Sequence, residues 1–318
     1  MRTMAIYRSL LVAIISLISK LHSSSGYSLK GKRAIVTGSS GGIGKGIALA
    51  LAEQGVHVVV HYHTREKGAE QTAAEITLRS NTGTTPGKVA GVFQCDFRDP
   101  QAIRDWFSHD IDVLWPDGFD ILVNNAGIVT KLALEDDDND LSAWYETMQV
   151  NLHAPRLLSH LSVPRMRNDF FSSNATTTTT TAAEARSAPS GGVILNVSSI
   201  HGEKSNEYVG PYAVSKSALD ALTRAMALEY ASYNIRVNAI APGVVPVERT
   251  AAAFAQATVA DPWLSRIPLN RLGTVEQVAA ACLPLLTNDW LTGAVWQIDG
   301  GMMARSNMPD RPRPINGN

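Results

Sequence analysis

Lys32-Arg33-Ala34-Ile35-Val36-Thr37, followed by Gly38-Ser39-Ser40-Gly41-Gly42-Ile43-Gly44, is the stretch whose reading decides the fold. The first six residues form a short apolar run that ends in glycines, and Ile43 to Gln54 then carries apolar residues at helical spacing. That is a strand, a glycine turn and a helix. Glycines let the chain turn tightly and let a phosphate approach the backbone, while the helix N-terminus offers N–H groups and positive dipole to a pyrophosphate. A glycine cluster alone is equally an ordinary turn. Its place after a first strand and before a helix makes it a dinucleotide-binding candidate, with Gly38, Ser39, Ser40, Gly42, Ile43 and Gly44 as the contacting residues.

Outward from this stretch the pattern repeats. Strands are predicted at Val56–Tyr62, Lys88–Cys95, Phe119–Val123, Val193–Val197, Ile235–Ile240 and Ala294–Ile298, and helices at Arg65–Arg79, Pro100–Leu114, Leu141–Arg167, Gly210–Tyr233 and Thr274–Leu286. Glu248–Leu264 reads as a mixed segment, and Pro211 suits the first turn of its helix because its missing N–H would have no partner there. Such alternation implies an α/β fold: a doubly wound, seven-stranded parallel sheet with helices on both faces, in one domain spanning residues 27–304.

The 318 residues are 45% hydrophobic and 18% charged with a net charge of -1, enough apolar surface for a large core. That balance gives no electrostatic case for nucleic acid or an acidic membrane surface, so the expected partner is a small molecule. The two cysteines, Cys95 and Cys282, exclude a disulfide framework and a zinc site built from cysteines, and no metal site is expected. Residues 1–26 carry Arg2, Arg8 and Lys20, no acid, and an apolar run from Leu10 to Ile18 that is shorter than the ~20 residues of a spanning helix. They read as a leader: a secretory signal, a plastid or mitochondrial transit peptide, or an uncleaved amphipathic anchor, each pointing away from the plain cytosol. Residues 168–192, with six consecutive threonines, form a low-complexity insertion that contains the sequon Asn174-Ala175-Thr176, and residues 305–318 read as an extended tail. The acidic string Glu135 to Asp140 is expected to be a solvated cap on the helix that follows.

Three further loops fall at carboxyl ends of strands, where ligands bind in such sheets. About 20 residues beyond the first glycine, an acidic residue would take the ribose 2′-hydroxyl of an unphosphorylated cofactor. Here Tyr62 stands at that place, with Thr64 and Arg65 able to receive a 2′-phosphate, so NADP(H) is favoured and NAD(H) stays open. Asp96 could accept hydrogen bonds around the adenine, and Asn125-Ala126-Gly127 could let the chain pass close to a ribose.

The catalytic candidates lie in Ser199 to Lys216, SIHGEKSNEYVGPYAVSK. Tyr212 and Lys216 are four residues apart and share a helix face. Hydride transfer to a carbonyl leaves an oxygen that must be protonated, and a tyrosine's reference pKa of ~10 is high for that work near neutrality. A neighbouring ammonium favours phenolate, so Lys216 is expected to lower it, while Ser199 holds the substrate oxygen.

TGSSGGIG at 37–44, NNAG at 124–127, Asn151, NVSS at 196–199, YAVSK at 212–216 and APG at 241–243 together resemble the short-chain dehydrogenase/reductase family over about residues 29 to 303. The resemblance implies a Rossmann-type subunit, an NAD(P)(H) cofactor, a carbonyl or secondary alcohol substrate, and a catalytic set of Asn151, Ser199, Tyr212 and Lys216. It also implies that Lys216 grips the nicotinamide ribose, that Asn151 supports a water relay, and that Pro242, Gly243 and Val245 reach the nicotinamide. It suggests a homotetramer or homodimer built on Leu141–Met166 and Pro211–Tyr233. HYHTREKGAEQTAAEI, NRLGT at 270–274 and DGGM at 299–302 look most like 3-oxoacyl-(acyl carrier protein) reductases and glucose dehydrogenases. One departure stands out, since valine replaces the threonine that often follows the proline-glycine pair. The rival reading is a non-catalytic dinucleotide-binding sensor on the same fold.

Overall fold

The computed structural model describes residues 27–80, 87–136, 141–167 and 191–305. The predicted leader, almost all of the threonine-rich insertion and the tail beyond Arg305 therefore lie outside the described residues. Seven strands, β1 (Arg33–Val36), β2 (His57–Tyr62), β3 (Val89–Gln94), β4 (Ile121–Asn124), β5 (Val193–Val197), β6 (Arg236–Pro242) and β7 (Val295–Ile298), pair in parallel throughout. Their order is β3-β2-β1-β4-β5-β6-β7. The sheet grows one way from β1 to β3 and the other way from β4 to β7, so a crevice opens where the carboxyl ends of β1 and β4 diverge.

The principal helices are α1 (Gly42–Glu53), α2 (Glu66–Ser80), α3 (Pro100–Trp106), α4 (Ser142–Met148), α5 (Ala154–Met166), α6 (Gly210–Tyr230), α7 (Ala251–Phe254), α8 (Ala257–Leu264) and α9 (Val275–Thr287). Strands covered on both faces can be apolar at every position, and parity then decides which core each side chain enters. Ala34, Val36, Val58, Val60, Ile121 and Val123 pack with Ile47 and Leu51 of α1 and Val278 of α9. Ile35, Val59, Leu122, Ile194 and Val237 pack on the other face with Ile103, Leu158 and Met226 of α3, α5 and α6. Each such burial stabilises by roughly 1.5–3 kcal/mol, and the two cores together hold the strand ends in register.

Two predicted helices are not continuous. The helix from Pro100 widens into a π-helical turn at Phe107–Ile111 before a last turn at Asp112–Leu114. The predicted Leu141–Arg167 helix is α4 and α5 joined by a π-helical turn at Gln149–His153. Pro155 explains the second interruption: it has no N–H to give the Asn151 carbonyl, and its ring would clash there, so the helix opens. Most of the predicted acidic cap, residues 137–140, lies outside the described residues. Leu141 stands at the N-cap in a left-handed conformation, φ 54°, without a side-chain capping bond. Glu135 and Asp136 belong to a 3₁₀ turn.

Candidate active site

The phosphate loop and the loop after β4 are tied together by one hydroxyl and one amide. Thr37 Oγ1 donates to the Val123 carbonyl and accepts from the N–H groups of Asn125 and Ala126, at 2.9 and 3.0 Å. Asn125 Nδ2 donates to the carbonyls of Thr37 and Gly38. The backbones come so close that a Cβ on Gly38, φ 64°, would lie 2.9 Å from Ala126 Cα. Only glycine fits that turn.

A cleft of about 560 Å³ runs along these strand ends. Gly38, Ser40, Gly42, Ile43, Thr64, Arg65, Asp96, Asn125, Ala126, Gly127, Pro242, Gly243 and Val245 line it, together with Ser199, Tyr212 and Lys216. Ser39, Gly44 and Tyr62, predicted as contacts, do not. The Ser39 hydroxyl is spent beneath the loop, donating to the Val36 carbonyl and accepting from His61 N–H. Gly44 serves packing, since a Cβ there would meet Asn125 Nδ2 at 2.3 Å. Tyr62 faces away, its hydroxyl donating to Glu66. Strand parity is the reason: a side chain one position from Tyr62 points to the opposite face, and His61 and His63 are the residues turned to the cleft.

His61 is thus a component of the site that the sequence reading missed. It is 2% exposed, stacks on Phe97 at 4.4 Å, and its Nδ1 accepts from Gly38 N–H while Nε2 bonds the Cys95 carbonyl. Those partners require the neutral ring with the proton on Nε2. Burial pushes its pKa down to about 4. An unfolded histidine protonates near 6.5, so between about pH 6.5 and 4 the unfolded chain binds the extra proton and stability falls as pH falls, by about 3 kcal/mol across the window. Urea midpoints measured from pH 7.5 to 4.5 should show this fall, and His61→Gln should flatten it. Equal acid slopes in the two proteins would remove His61 as the cause.

At the same end, Asp96 lines the cleft, but its carboxylate is already engaged. It accepts from Arg98 Nε and a terminal guanidinium nitrogen at 3.0 and 2.8 Å, and the Arg98 bonds hold its pKa below the ordinary value. Arg98 also reaches Glu146.

The other end of the cleft carries the chemistry. Asn151, carried out of helical line by the π-turn, is fully buried and uses its whole amide on neighbours. Oδ1 accepts from Ile128 N–H, and Nδ2 donates to the Ile128 carbonyl and Ser215 Oγ. It positions the loop after β4 and does not line the cleft. Lys216, 4% exposed, donates to the Val197 carbonyl at 2.8 Å, with Nζ 5.7 Å from the Tyr212 ring centroid. The Ser199 hydroxyl lies close enough to Tyr212 to favour its phenolate. Ser199 also accepts from His201 N–H, and the His201 ring meets Tyr212 edge-on at 5.9 Å.

The expected lowering of Tyr212 by Lys216 is not the balance found. Burial raises the phenol above its ordinary value, and the Ser199 hydroxyl and the Arg249 charge offset part of that rise. Lys216 is itself pushed down to about 8 by burial, with Asp220 opposing. Its ammonium is committed to the Val197 carbonyl, and Arg249 rather than Lys216 is the cation that acts on the phenol.

The site also contains an internal anion. The Glu248 carboxylate accepts from Gly42 N–H at 2.9 and 3.2 Å, at the N-terminus of α1, where a phosphate would bind. A carboxylate on that amide shows that the cradle suits an anion, and Gly42, φ 56°, keeps it open.

A parallel sheet with this order, an anion-binding turn at its switch point and a serine, tyrosine and lysine beyond it define a dinucleotide-dependent oxidoreductase. The family model for short chain dehydrogenases matches residues 32–258, and the chain belongs to that family as an NAD(P)-dependent dehydrogenase/reductase. It is 33% identical to 3beta-hydroxysteroid dehydrogenase 1 of Eggerthella lenta over 86% of this chain and 94% of that protein. It is 30% identical to 2-dehydro-3-deoxy-D-gluconate 5-dehydrogenase of Bacillus subtilis, over 88% and 97%. Among solved structures, a short chain dehydrogenase from Burkholderia cenocepacia J2315 in complex with NADP superposes with a TM-score of 0.70 at 27% identity, covering 87% of this chain and 99% of that one.

Proposed function

We propose that the protein interconverts a carbonyl and a secondary alcohol with NADP(H), using Tyr212 as the acid/base and Ser199 to hold the reacting oxygen. The cofactor supplies and accepts the hydride. Gly38, Ser40, Gly42 and Ile43 would hold its pyrophosphate, and Thr64 and Arg65 its 2′-phosphate. In reduction, Tyr212 gives its hydroxyl proton to the oxygen that Ser199 orients, and in oxidation the phenolate takes that proton back. Lys216 would grip the nicotinamide ribose, and Asn151 fixes the loop against which the reacting groups align.

The observation that carries the NADP(H) preference is Arg65. Its guanidinium covers Gly41, and a Cβ at that glycine would lie 2.6 Å from a terminal nitrogen. No hydrogen bond or ion pair engages its side chain among the described residues, and the carboxylates that line the cleft, Asp96, Glu146 and Glu248, are held elsewhere. The NADP-bound relative supports the same preference. Arg65→Ala should weaken NADPH binding about 10- to 100-fold, the worth of a charged hydrogen bond, and leave NADH nearly unchanged. Fluorescence titration of both cofactors tests it, and an equal loss for the two would refute the assignment.

The 3-oxoacyl-(acyl carrier protein) reductase and glucose dehydrogenase likeness belongs to this proposal too, supported by the segments at 270–274 and 299–302. The steroid and sugar-acid relatives act on different carbonyls, so the cleft's own chemistry carries the substrate question. Self-association is proposed through α4, α5 and α6, where Tyr145 of α4 is 62% exposed and Val214 and Leu228 of α6 are 44% and 82% exposed. Residues 1–26 are proposed to be a targeting leader, on their basic, acid-free and apolar make-up.

A further inference from the structure

Beneath the reacting residues a chain of four polar side chains crosses the core, and none of the four lines the cleft. It starts at the Pro155 carbonyl, to which Ser159 Oγ donates at 2.7 Å, and the same Oγ accepts from Asn124 Nδ2 at 3.3 Å. Asn124 Nδ2 also donates to Asn196 Oδ1 at 2.9 Å, Asn196 Nδ2 donates to Thr223 Oγ1 at 2.8 Å, and the Thr223 hydroxyl donates to the Leu219 carbonyl at 2.8 Å. The chain thus runs from α5 through β4 and β5 to α6. Strand parity puts both asparagines on this face, since they are register partners and each lies two residues beyond a side chain of the same core, Leu122 and Ile194. All four side chains are at most 2% exposed.

Buried amides and hydroxyls gain little net stability over apolar side chains, and Asn124 Oδ1 has no partner here among the described residues. What a hydrogen bond adds to an apolar core is register, because it holds at one offset only. Each member of the chain stands at a fixed offset from a residue of the site. Asn196 is three residues before Ser199, and Thr223 is seven after Lys216, about two turns along the same helix. Asn124 directly precedes Asn125. The bond from Asn196 to Thr223 therefore joins the strand that carries Ser199 to the helix that carries Tyr212 and Lys216. Two other bonds cross that gap: Lys216 reaches the Val197 carbonyl through a flexible stem, and Ser198 Oγ reaches the Lys216 carbonyl at 3.4 Å. The short bond between stiff side chains is the one at Thr223.

We propose that Thr223 is a positioning residue of the reaction: through Asn196 its hydroxyl sets α6 against β5, and so sets the reach of Tyr212 to the oxygen that Ser199 holds. This rests on the roles given to Tyr212 and Ser199 above. Proton transfer needs hydrogen-bond reach, and a displacement of about 1 Å costs about 10²-fold in rate. Apolar packing between α6 and β5 tolerates a small slide of the helix. The Asn196 amide does not, because its second bond fixes it to Asn124 on the next strand.

Thr223→Val keeps the shape of the side chain and removes the hydroxyl, whereas Thr223→Ser keeps the hydroxyl and removes a methyl. Both lose a buried group, and both should melt below the wild type. With NADPH and 2,3-butanedione or ethyl acetoacetate, kcat should fall about 10- to 100-fold in Thr223→Val and stay within about twofold in Thr223→Ser. NADPH affinity should be unchanged in both. Crystal structures should show the Ser199 and Tyr212 hydroxyls farther apart by about 0.5 Å or more in the valine variant only. A wild-type kcat or an unmoved Tyr212 in Thr223→Val would overturn the proposal. So would equal losses of kcat in the two variants, because methyl packing would then be the cause. Should Thr223→Val not fold, Thr223→Ala takes its place: it differs from Thr223→Ser by one oxygen, and equal kcat in that pair overturns the proposal. A wild type that turns over neither carbonyl would count against the roles of Tyr212 and Ser199, and the separation of the two hydroxyls in the crystal structures would then decide the role of Thr223.

Discussion

Tyr212→Phe is expected to lose about 10³-fold in kcat while binding NADPH as the wild type does. The change deletes one oxygen. The ring keeps its edge contact with His201, Lys216 keeps its bond to the Val197 carbonyl, and Ser199 keeps the His201 N–H. What disappears is the proton donor for reduction and the acceptor for oxidation. The phenol is half-buried and raised above its ordinary pKa, so reduction, which needs the protonated form, should be well served at neutral pH. Oxidation needs phenolate and should accelerate as pH rises. Single-turnover rates with reduced and oxidised cofactor, measured between pH 6 and 10, check both statements. Unchanged kcat in the variant would end the role of Tyr212.

Lys216→Met should show two effects of opposite sign: a large loss of activity and a gain in stability at neutral pH. The wild-type ammonium is 4% exposed and its pKa is pushed down to about 8, against 10.5 for the free side chain. Below pH 8 both folded and unfolded lysines are charged, and folding bears the full cost of burying that charge. From pH 8 to about 10.5 the folded lysine is neutral while the unfolded one still binds a proton, so the cost is progressively relieved. The depression corresponds to about 3 kcal/mol at pH 7, of which the orphaned Val197 carbonyl takes back about 1–2 kcal/mol in the variant. A net gain of about 1–2 kcal/mol raises Tm by several degrees in a chain of this size. Thermal melts at pH 7 and pH 10 should show the gain shrinking at the higher pH, and a variant less stable at both would contradict the account. Activity should drop about 10²-fold, because the nicotinamide ribose loses its charged partner.

Much of this was legible in the sequence because the signals are local. Each strand is a short apolar run ended by its own loop, and parallel strands buried on two faces need no finer pattern to be recognised. Gly38, Asn125, Ser199 and Tyr212 announce themselves through neighbours a few residues away. What escaped depends on facing direction or on long-range contact. His61 could have been found by parity, since it shares a face with Val59 and the cleft, whereas Tyr62 does not. Pro155 held the signal for the π-turn at Asn151, four residues before it. The helical spacing of Tyr212 and Lys216 showed that they are neighbours but not how deeply each is buried, and burial is what sets both pKa values. The bond between Glu248 and Gly42 joins positions 206 residues apart, and no local pattern carries it.

That last bond gives the binding steps an order. Gly42 N–H cannot serve a pyrophosphate and the Glu248 carboxylate together, so cofactor arrival is a ligand exchange in which one anion releases another. The released carboxylate belongs to the loop after β6 that borders the cleft, and the exchange frees it from Gly42. A substrate therefore meets the loop in its cofactor-bound arrangement only after the cofactor is in place. Such a mechanism is compulsory-ordered, with cofactor first on and last off, and product inhibition by NADP⁺ competitive against NADPH alone.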